Sequence, residues 1–346
     1  MIDFTELNAR IPAPDDEAAA RTQVRLNNIA KPVASLGELE SLLVRISRIA
    51  RTDDIALAKR QLIVLAADNG VTAQGVAATP ADITAVMASF MAERRSSVCI
   101  MADTVACDVA LVDIGMFRHL DVPGIVDLHV ADGTADMSQG PAMSREQALQ
   151  AIEVGIDLAH QAAEQGYRLI ATGEMGIGNT STSSAVAAVL LGRTASDMTG
   201  RGVGLTDEGL AHKVAVISQA IEVNHPDPAD AFDVLRMLGG FDIAAMCGVF
   251  LGGALYGVPV IIDGFISSVA ALCAVRLCPA ASYALLPSHL SAEPAACAVL
   301  AELGLEPIIH AGMHLGEGTG AVALIGLLDQ AVAVYDKMIT YADIGM

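Results

Sequence analysis

No tryptophan occurs among the 346 residues, and aromatic side chains make up only 3% of them. Any core must therefore be built from Ala, Val, Ile, Leu and Met, which suits Ala-rich helices packed closely on aliphatic strands. Positive charge is also scarce. Twenty Lys and Arg stand against 40 Asp and Glu, a net charge of −20 with no basic run to offset it. That field argues against nucleic acid or an anionic membrane surface as a partner. An anionic ligand has to be held locally, by helix N-termini and single cations such as Lys213 or Arg201.

The cysteines, at 99, 107, 247, 273, 278 and 297, form no CxxC pair and have no His at ligand spacing. They read as reduced core thiols of a cytosolic protein, and no metal site is expected. The N-terminus, MIDFTELNAR, lacks the basic patch and apolar stretch of a signal peptide, so a cytoplasmic location is expected. Residues 244–262 are uncharged and nearly long enough to cross a bilayer. Gly248, Gly252, Gly253, Gly257 and Pro259 interrupt that stretch, which reads instead as a helix followed by a short buried strand.

The length allows one large domain or two smaller ones. Residues 11–14 read as an extended entry and 15–28 as a helix. Ser35 and Glu38 have capping-box spacing ahead of Leu36, Leu39, Leu43, Ile46 and Ala50, which recur at helical intervals. After Lys59, short aliphatic runs at 61–67, 109–115, 168–173, 259–264, 282–287 and 306–311 alternate with helical segments. This alternation predicts an α/β fold with a mostly parallel sheet flanked by helices. Thr79, Pro80 and Asp82 suit an N-cap, first turn and N3 position, and Ser144 with Gln147 forms a second capping-box pattern. Asp68, Asn69, Asp113, Glu174, Asp263, Ser288, His289, Ser291 and Glu317 all fall at or beyond the ends of expected strands, where open parallel sheets bind ligands.

The segment 171–182, ATGEMGIGNTST, joins an aliphatic run to a helical one through Gly173, Gly176 and Gly178. It lacks the GxGxxG order of a dinucleotide fingerprint and the Lys-Ser or Lys-Thr of a P-loop. What remains is a backbone nest for one phosphate, with side-chain support from Asn179, Thr180 or Ser181. A second glycine turn, TGRGVG at 199–204, precedes a helix containing Lys213. Glu174 lies in the first nest and Glu317 in a further glycine turn, HLGEGTG at 314–320. Two acids in two glycine loops point to chemistry on a sugar phosphate.

GEMGIGNT, DGFISSVAAL (263–272), PSHLSAEP (287–294) and LGEGTGAV (315–322), in this order and spacing, resemble the nicotinate-nucleotide:dimethylbenzimidazole phosphoribosyltransferase (CobT) family. The resemblance runs from about Ile11 to about Tyr335. It implies a Rossmann-like parallel sheet in a large domain, 59–319, and a small helical lobe from 1–58 plus 320–346, assembled as a dimer. It further implies transfer of 5-phosphoribose from nicotinate mononucleotide to the lower-ligand base of a cobamide, without a cofactor or metal. By resemblance, Glu317 is the general base and Glu174 positions substrate or stabilises positive charge on the ribose. Gly176, Ile177, Gly178, Asn179, Thr180, Gly202, Lys213, Asp263 and Ser291 then hold the ribotide and its phosphate, while Thr79, Met87, Met175 and Leu315 face the acceptor.

The departures from the family pattern gather near the acceptor. Asp68-Asn69-Gly70 stands for Asp-His-Gly, and His314 replaces an Arg. Thr79 replaces a Ser, Met87 a Gln and Met175 a Leu, while Glu93, Arg94 and Arg95 replace a stretch of small residues. Two methionines make a soft slot with few hydrogen-bond partners. Such a slot suits a phenol or p-cresol, as in the ArsA-type branch that works as a heterodimer with a homologous subunit. A homodimer using dimethylbenzimidazole, and a catalytically silent nucleotide-binding subunit supporting a homologous partner, are the alternatives.

Overall fold

A computed structural model describes residues 2–202 and 204–345. Three helices, α1 (Phe4–Arg10), α2 (Asp16–Asn28) and α3 (Glu38–Ala50), precede strand β1 (Arg60–Ala67). Helices α4 (Ile83–Ala92) and α5 (Ser97–Thr104) lead to β2 (Asp108–Gly115) and β3 (Ile125–Asp127). A long helix, α6 (Arg145–Glu164), returns the chain to β4 (Leu169–Met175). Five helices follow: α7 (Asn179–Leu190), α8 (Ala195–Met198), α9 (Asp207–Asn224), α10 (Ala231–Leu238) and α11 (Phe241–Tyr256). The chain closes with β5 (Val260–Ile262), α12 (Phe265–Leu277), β6 (Leu285–Pro287), α13 (Ala296–Glu302) and α14 (Thr319–Lys337).

The strands form one sheet in the order β3-β2-β1-β4-β5-β6, and every pairing is parallel. All seven residues of β4 are buried, as expected of a strand covered on both faces. The strand order reverses between β1 and β4, so a crevice opens beyond their carboxyl ends. There Leu65 stands beside Glu174 in register, and Ala66 beside Met175.

Three local expectations need correction. Residues 306–311 form no strand. Pro307 near its start has no N–H to give, and among the described residues one parallel bridge, His289 to Ile309, joins the segment to its neighbour. In its place the sheet gains β3, whose three half-exposed residues are too few to show a period. The Ser35–Glu38 box does not form either. Helix α3 starts after Gly37 (φ 56°), and Glu40 folds back to accept from Leu36 N–H while pairing with buried Lys31 at 2.7 Å. Thr79 caps nothing, since α4 begins at Ile83 after a turn. The Ser144–Gln147 box is formed as expected at the head of α6.

The run at 244–262 lies inside α11 and β5 and is buried along most of its length. Its glycines allow α6 and α11 to touch backbone to backbone: a Cβ on Gly248 would lie 2.1 Å from Ile152 O, and one on Gly155 1.9 Å from Ala245 O. Helix α14 is long and apolar enough to cross a membrane by length and composition alone, with half of it buried. It packs against α3, α5 and β4. All six cysteines are free, and five are buried. Cys297 is the exception to the core reading, because it sits on the exposed side of the short helix α13.

The two chain ends are tied to each other. The Arg25 guanidinium stacks over the Tyr335 ring at 4.5 Å, and Tyr335 OH donates to Asp53 O at 3.0 Å. Arg60 pairs with Asp329, and Tyr341 N–H donates to Asn28 O at 2.9 Å.

Candidate active site

Glu174, the penultimate residue of β4, lies in the crevice where the strand order reverses. The chain then turns through Gly176, Ile177 and Gly178 (φ 94°) into α7, where Asn179 N–H bonds back to Gly176 O at 3.2 Å and Ser181 N–H to Gly178 O at 2.8 Å. Only glycine fits at 176, because a Cβ there would stand 2.5 Å from Ala67 O. Ile177 N–H donates to Thr84 Oγ1 at 3.2 Å, which pins the turn to α4. Asn179 Nδ2 donates both to Glu174 Oε2 and, at 2.9 Å, to Asp242 Oδ2. Burial, and then the negative charge of Asp242, push Glu174 up to about 8. Asp242 itself is pushed by burial up to about 6.

Glu317 occupies the turn before α14 in the left-handed conformation (φ 62°), between Gly316 (φ 85°) and Gly318 (φ 96°). A side chain rarely adopts that conformation, so the surrounding structure has to hold it. Asp263 does so, accepting from Gly318, Gly320 and Ala321 N–H at 3.2, 2.7 and 3.0 Å. The turn lies directly on β4. A Cβ on Gly173 would meet Glu317 O at 2.4 Å, and one on Gly316 would meet Glu174 Oε1 at 2.5 Å. The Glu317 carboxylate is buried near the first turn of α5, and its Oε2 has no partner in the described structure. Burial raises it above the usual carboxylate range, against the pull of the Val98 N–H.

A cation lies near the head of α7. Lys213, on α9, is fully buried, and its Nζ donates to Thr180 Oγ1 at 2.8 Å. Gly202 closes this corner: a Cβ there would sit 3.2 Å from Thr180 Oγ1 and 3.6 Å from Lys213 Nζ. Burial lowers Lys213 to about 8, while the neighbouring Glu293 works in the opposite direction. Glu293 Oε1 also accepts from Gly202 N–H at 3.1 Å, and Ser291 Oγ accepts from Glu293 N–H at 3.4 Å. Ser291 therefore borders the corner rather than capping a helix, since α13 starts at Ala296. Arg201 is spent elsewhere, paired with Asp207 at the surface. Val203, within the 199–204 turn, lies outside the described residues.

The expected acceptor residues are less gathered. A cleft of about 520 Å³ is lined by Gly70, Thr72, Ala78, Thr79, Pro80 and Phe117, among others. Thr79 Oγ1 is buried there with no partner among the described residues. Met175 is buried at the end of β4, Met87 is half-buried on α4, and Leu315 is 58% exposed. Another cavity, about 380 Å³, is lined by residues of α1, α6 and α11, Glu6, Asp157 and Tyr256 among them, and by neither Glu174 nor Glu317.

Of the positions departing from the family pattern, Asn69 is fully buried, with Oδ1 accepting from Thr182 Oγ1 at 3.3 Å and Nδ2 unpartnered. His314 is exposed, with Nδ1 beside Gly312 O. Sequence reasoning missed Asp242, Glu293, Thr84 and Phe117. Asp242 and Glu293 do leave a trace, as single acids in otherwise apolar or small-residue surroundings.

A family model described as "Phosphoribosyltransferase" matches residues 11–346. The nicotinate-nucleotide–dimethylbenzimidazole phosphoribosyltransferase of Ruminiclostridium cellulolyticum is 41% identical, over 98% of this chain and 97% of its own. The protein of the same name from a Roseiflexus species is 45% identical over 99% and 98%. Among solved structures, CobT from Thermus thermophilus superposes with a TM-score of 0.90 at 35% identity, covering 95% of this chain and 99% of that one.

Proposed function

The chain belongs to this phosphoribosyltransferase family, and on that premise we propose that it moves 5-phosphoribose from nicotinate mononucleotide to a flat aromatic acceptor, giving an α-ribotide phosphate and nicotinate. The observation that carries this reading is the contact between the two acid loops, with Gly316 seated against Glu174 Oε1. Chemistry at an anomeric carbon needs one group beside the ribose and another beside the incoming nucleophile, and this contact can supply both.

In the proposed reaction the acceptor's nitrogen or oxygen attacks the anomeric carbon from the face opposite nicotinate. The C–N bond breaks, its electron pair neutralises the pyridinium nitrogen, and the acceptor's proton passes to Glu317. A buried carboxylate with one unpartnered oxygen and a raised pKa suits a general base near neutral pH. Glu174, which shares one negative charge with Asp242 through Asn179, lies against the ribose as positive charge develops. Lys213, Thr180, Gly202, Ser291 and the 176–179 turn hold the 5-phosphate, which restores the charge environment that burial denies Lys213. Asp263, with its oxygens committed to the 318–321 N–H groups, positions the Glu317 turn.

Dimethylbenzimidazole, the base named for the relatives, is the first acceptor to try. Phenols are a second reading, favoured by Met87 and Met175 and by a cleft that offers little beyond threonine hydroxyls. A silent subunit is disfavoured because Glu174, Glu317 and Lys213 are all in place. Association with a second copy or a homologous subunit belongs to the same proposal. Purified protein given nicotinate mononucleotide and either acceptor is expected to release nicotinate. Release with neither refutes the reading, and the faster acceptor decides between the two chemistries.

A further inference from the structure

A second cluster of ionisable groups lies at the same carboxyl edge of the sheet, toward its β3 side, where β2 and β3 end. Asp113 is the sixth residue of β2 and its side chain is only 2% exposed. Its Oδ1 accepts from Gly115 and Met116 N–H, both at 2.9 Å. Its Oδ2 is buried with no hydrogen-bond partner among the described residues.

That orphaned oxygen faces His119 Nδ1 at 3.8 Å. His119, on the β2–β3 connection, also places Nε2 3.6 Å from Oδ2 of Asp127, the last residue of β3. His129 brings Nδ1 to 3.3 Å from Asp113 Oδ1, and the two imidazole rings meet edge to face with centroids 5.9 Å apart. One ligand atom from each of Asp113, His119, Asp127 and His129 can be chosen so that all four lie within 4.8 Å of one another.

Separations of 3.6 and 3.8 Å are too long for hydrogen bonds. They run to different ring nitrogens of His119, only one of which can face an ion; that one contact is close to the ~3.3 Å between ligand atoms around a tetrahedral cation with bonds of ~2.0 Å, and the chosen four atoms stay within 4.8 Å. The outer contacts also suit an ion. His129 Nε2 lies 2.9 Å from Asp132 Oδ1, an arrangement that orients a ligating imidazole and leaves Nδ1 to bind metal. The backbone N–H groups on Asp113 Oδ1 fix the aim of Oδ2 in the same way.

We propose that Asp113, His119, Asp127 and His129 bind a divalent transition metal of the zinc type. Two imidazoles and two carboxylates favour such an ion over magnesium or calcium, which prefer all-oxygen sites. The ion joins β2, β3 and the connection between them. That connection also carries Phe117, which lines the proposed acceptor cleft and donates its N–H to Asp68 Oδ2 at 2.8 Å. The metal is thus structural, holding one wall of the cleft.

The test titrates the full-length, chelator-stripped protein with Zn²⁺ in a dye-competition assay, beside a His119→Ala/His129→Ala double variant and a Mg²⁺ control. Expected are one tight equivalent in the parent, affinity about tenfold or more weaker in the double variant, and no competition from Mg²⁺. Zn²⁺ is also expected to slow amide exchange across 116–124 in the parent alone. His119 is 55% exposed, so replacing it singly leaves the core intact. Equal zinc affinity in a folded His119→Ala variant overturns the proposal, as does Mg²⁺ competing on equal terms or no tight equivalent in the parent.

Discussion

Glu174 and Asp242 share one donor, the side-chain amide of Asn179. Two buried carboxylates on a single amide resist being ionised together, so the pair titrates as a unit near 6 and 8 and carries one negative charge between those values. Asn179 also stands first in α7, so the same residue ties this charge to the turn proposed to hold phosphate.

The pair makes stability depend on pH. Folding raises both groups above their ordinary values of 4.5 and 3.8, so their contribution is complete below those values and is lost as pH rises through about 8. Urea midpoints at about pH 5 and about pH 9 are expected to show Glu174→Gln losing less stability than the parent, by on the order of 2 kcal/mol. Equal losses in the two proteins contradict the assignment.

Replacing the proposed base tests the chemistry directly. Glu317→Gln is expected to lower kcat for nicotinate release by about 10²–10⁴-fold, with KM for nicotinate mononucleotide within a few-fold of the parent. A variant as fast as the parent removes Glu317 from the reaction.

Lys213 is assigned to binding rather than to bond breaking. Lys213→Gln is expected to raise KM for nicotinate mononucleotide by about 10–100-fold, the worth of one charge-assisted hydrogen bond, and to change kcat much less. A loss confined to kcat argues against a phosphate role.

The glycine contact between α6 and α11 sets a packing limit. Gly248→Ala puts a methyl group 2.1 Å from Ile152 O, with no flexible side chain to give way. A stability loss of about 1–3 kcal/mol is expected by chemical denaturation, since the helices have to separate. An unchanged midpoint shows that this contact is looser than its geometry.

Much of the crevice is legible in the sequence because its parts are local. The glycines at 176 and 178, and the acids at 174 and 317, advertise turns and charge where aliphatic runs stop. Asp242 leaves only the trace of a single acid in an apolar stretch, because one Asp at the head of such a helix reads as a dipole partner until the fold brings it to Asn179. β3 is too short to announce itself, and 306–311 reads as a strand because its Ile-Ile pair outweighs Pro307. The Asp113–His119–Asp127–His129 cluster is invisible as a motif because parallel pairing of β2 and β3, rather than chain spacing, assembles it. The acceptor residues are the least legible. Leu315 points outward, and the cleft wall at Phe117 comes from a loop with no family motif.

Helix α14 begins two residues after the acid turn and, about 28 Å later by its rise per residue, ends where Tyr335 and the chain beyond it grip the leading helices. It is therefore a strut between the chain's two termini and the turn that carries Glu317. Loosening the clasp of Arg25, Asp53 and Tyr335 would be felt as slack at Glu317, so trimming the N-terminal helices is a remote way to detune the enzyme.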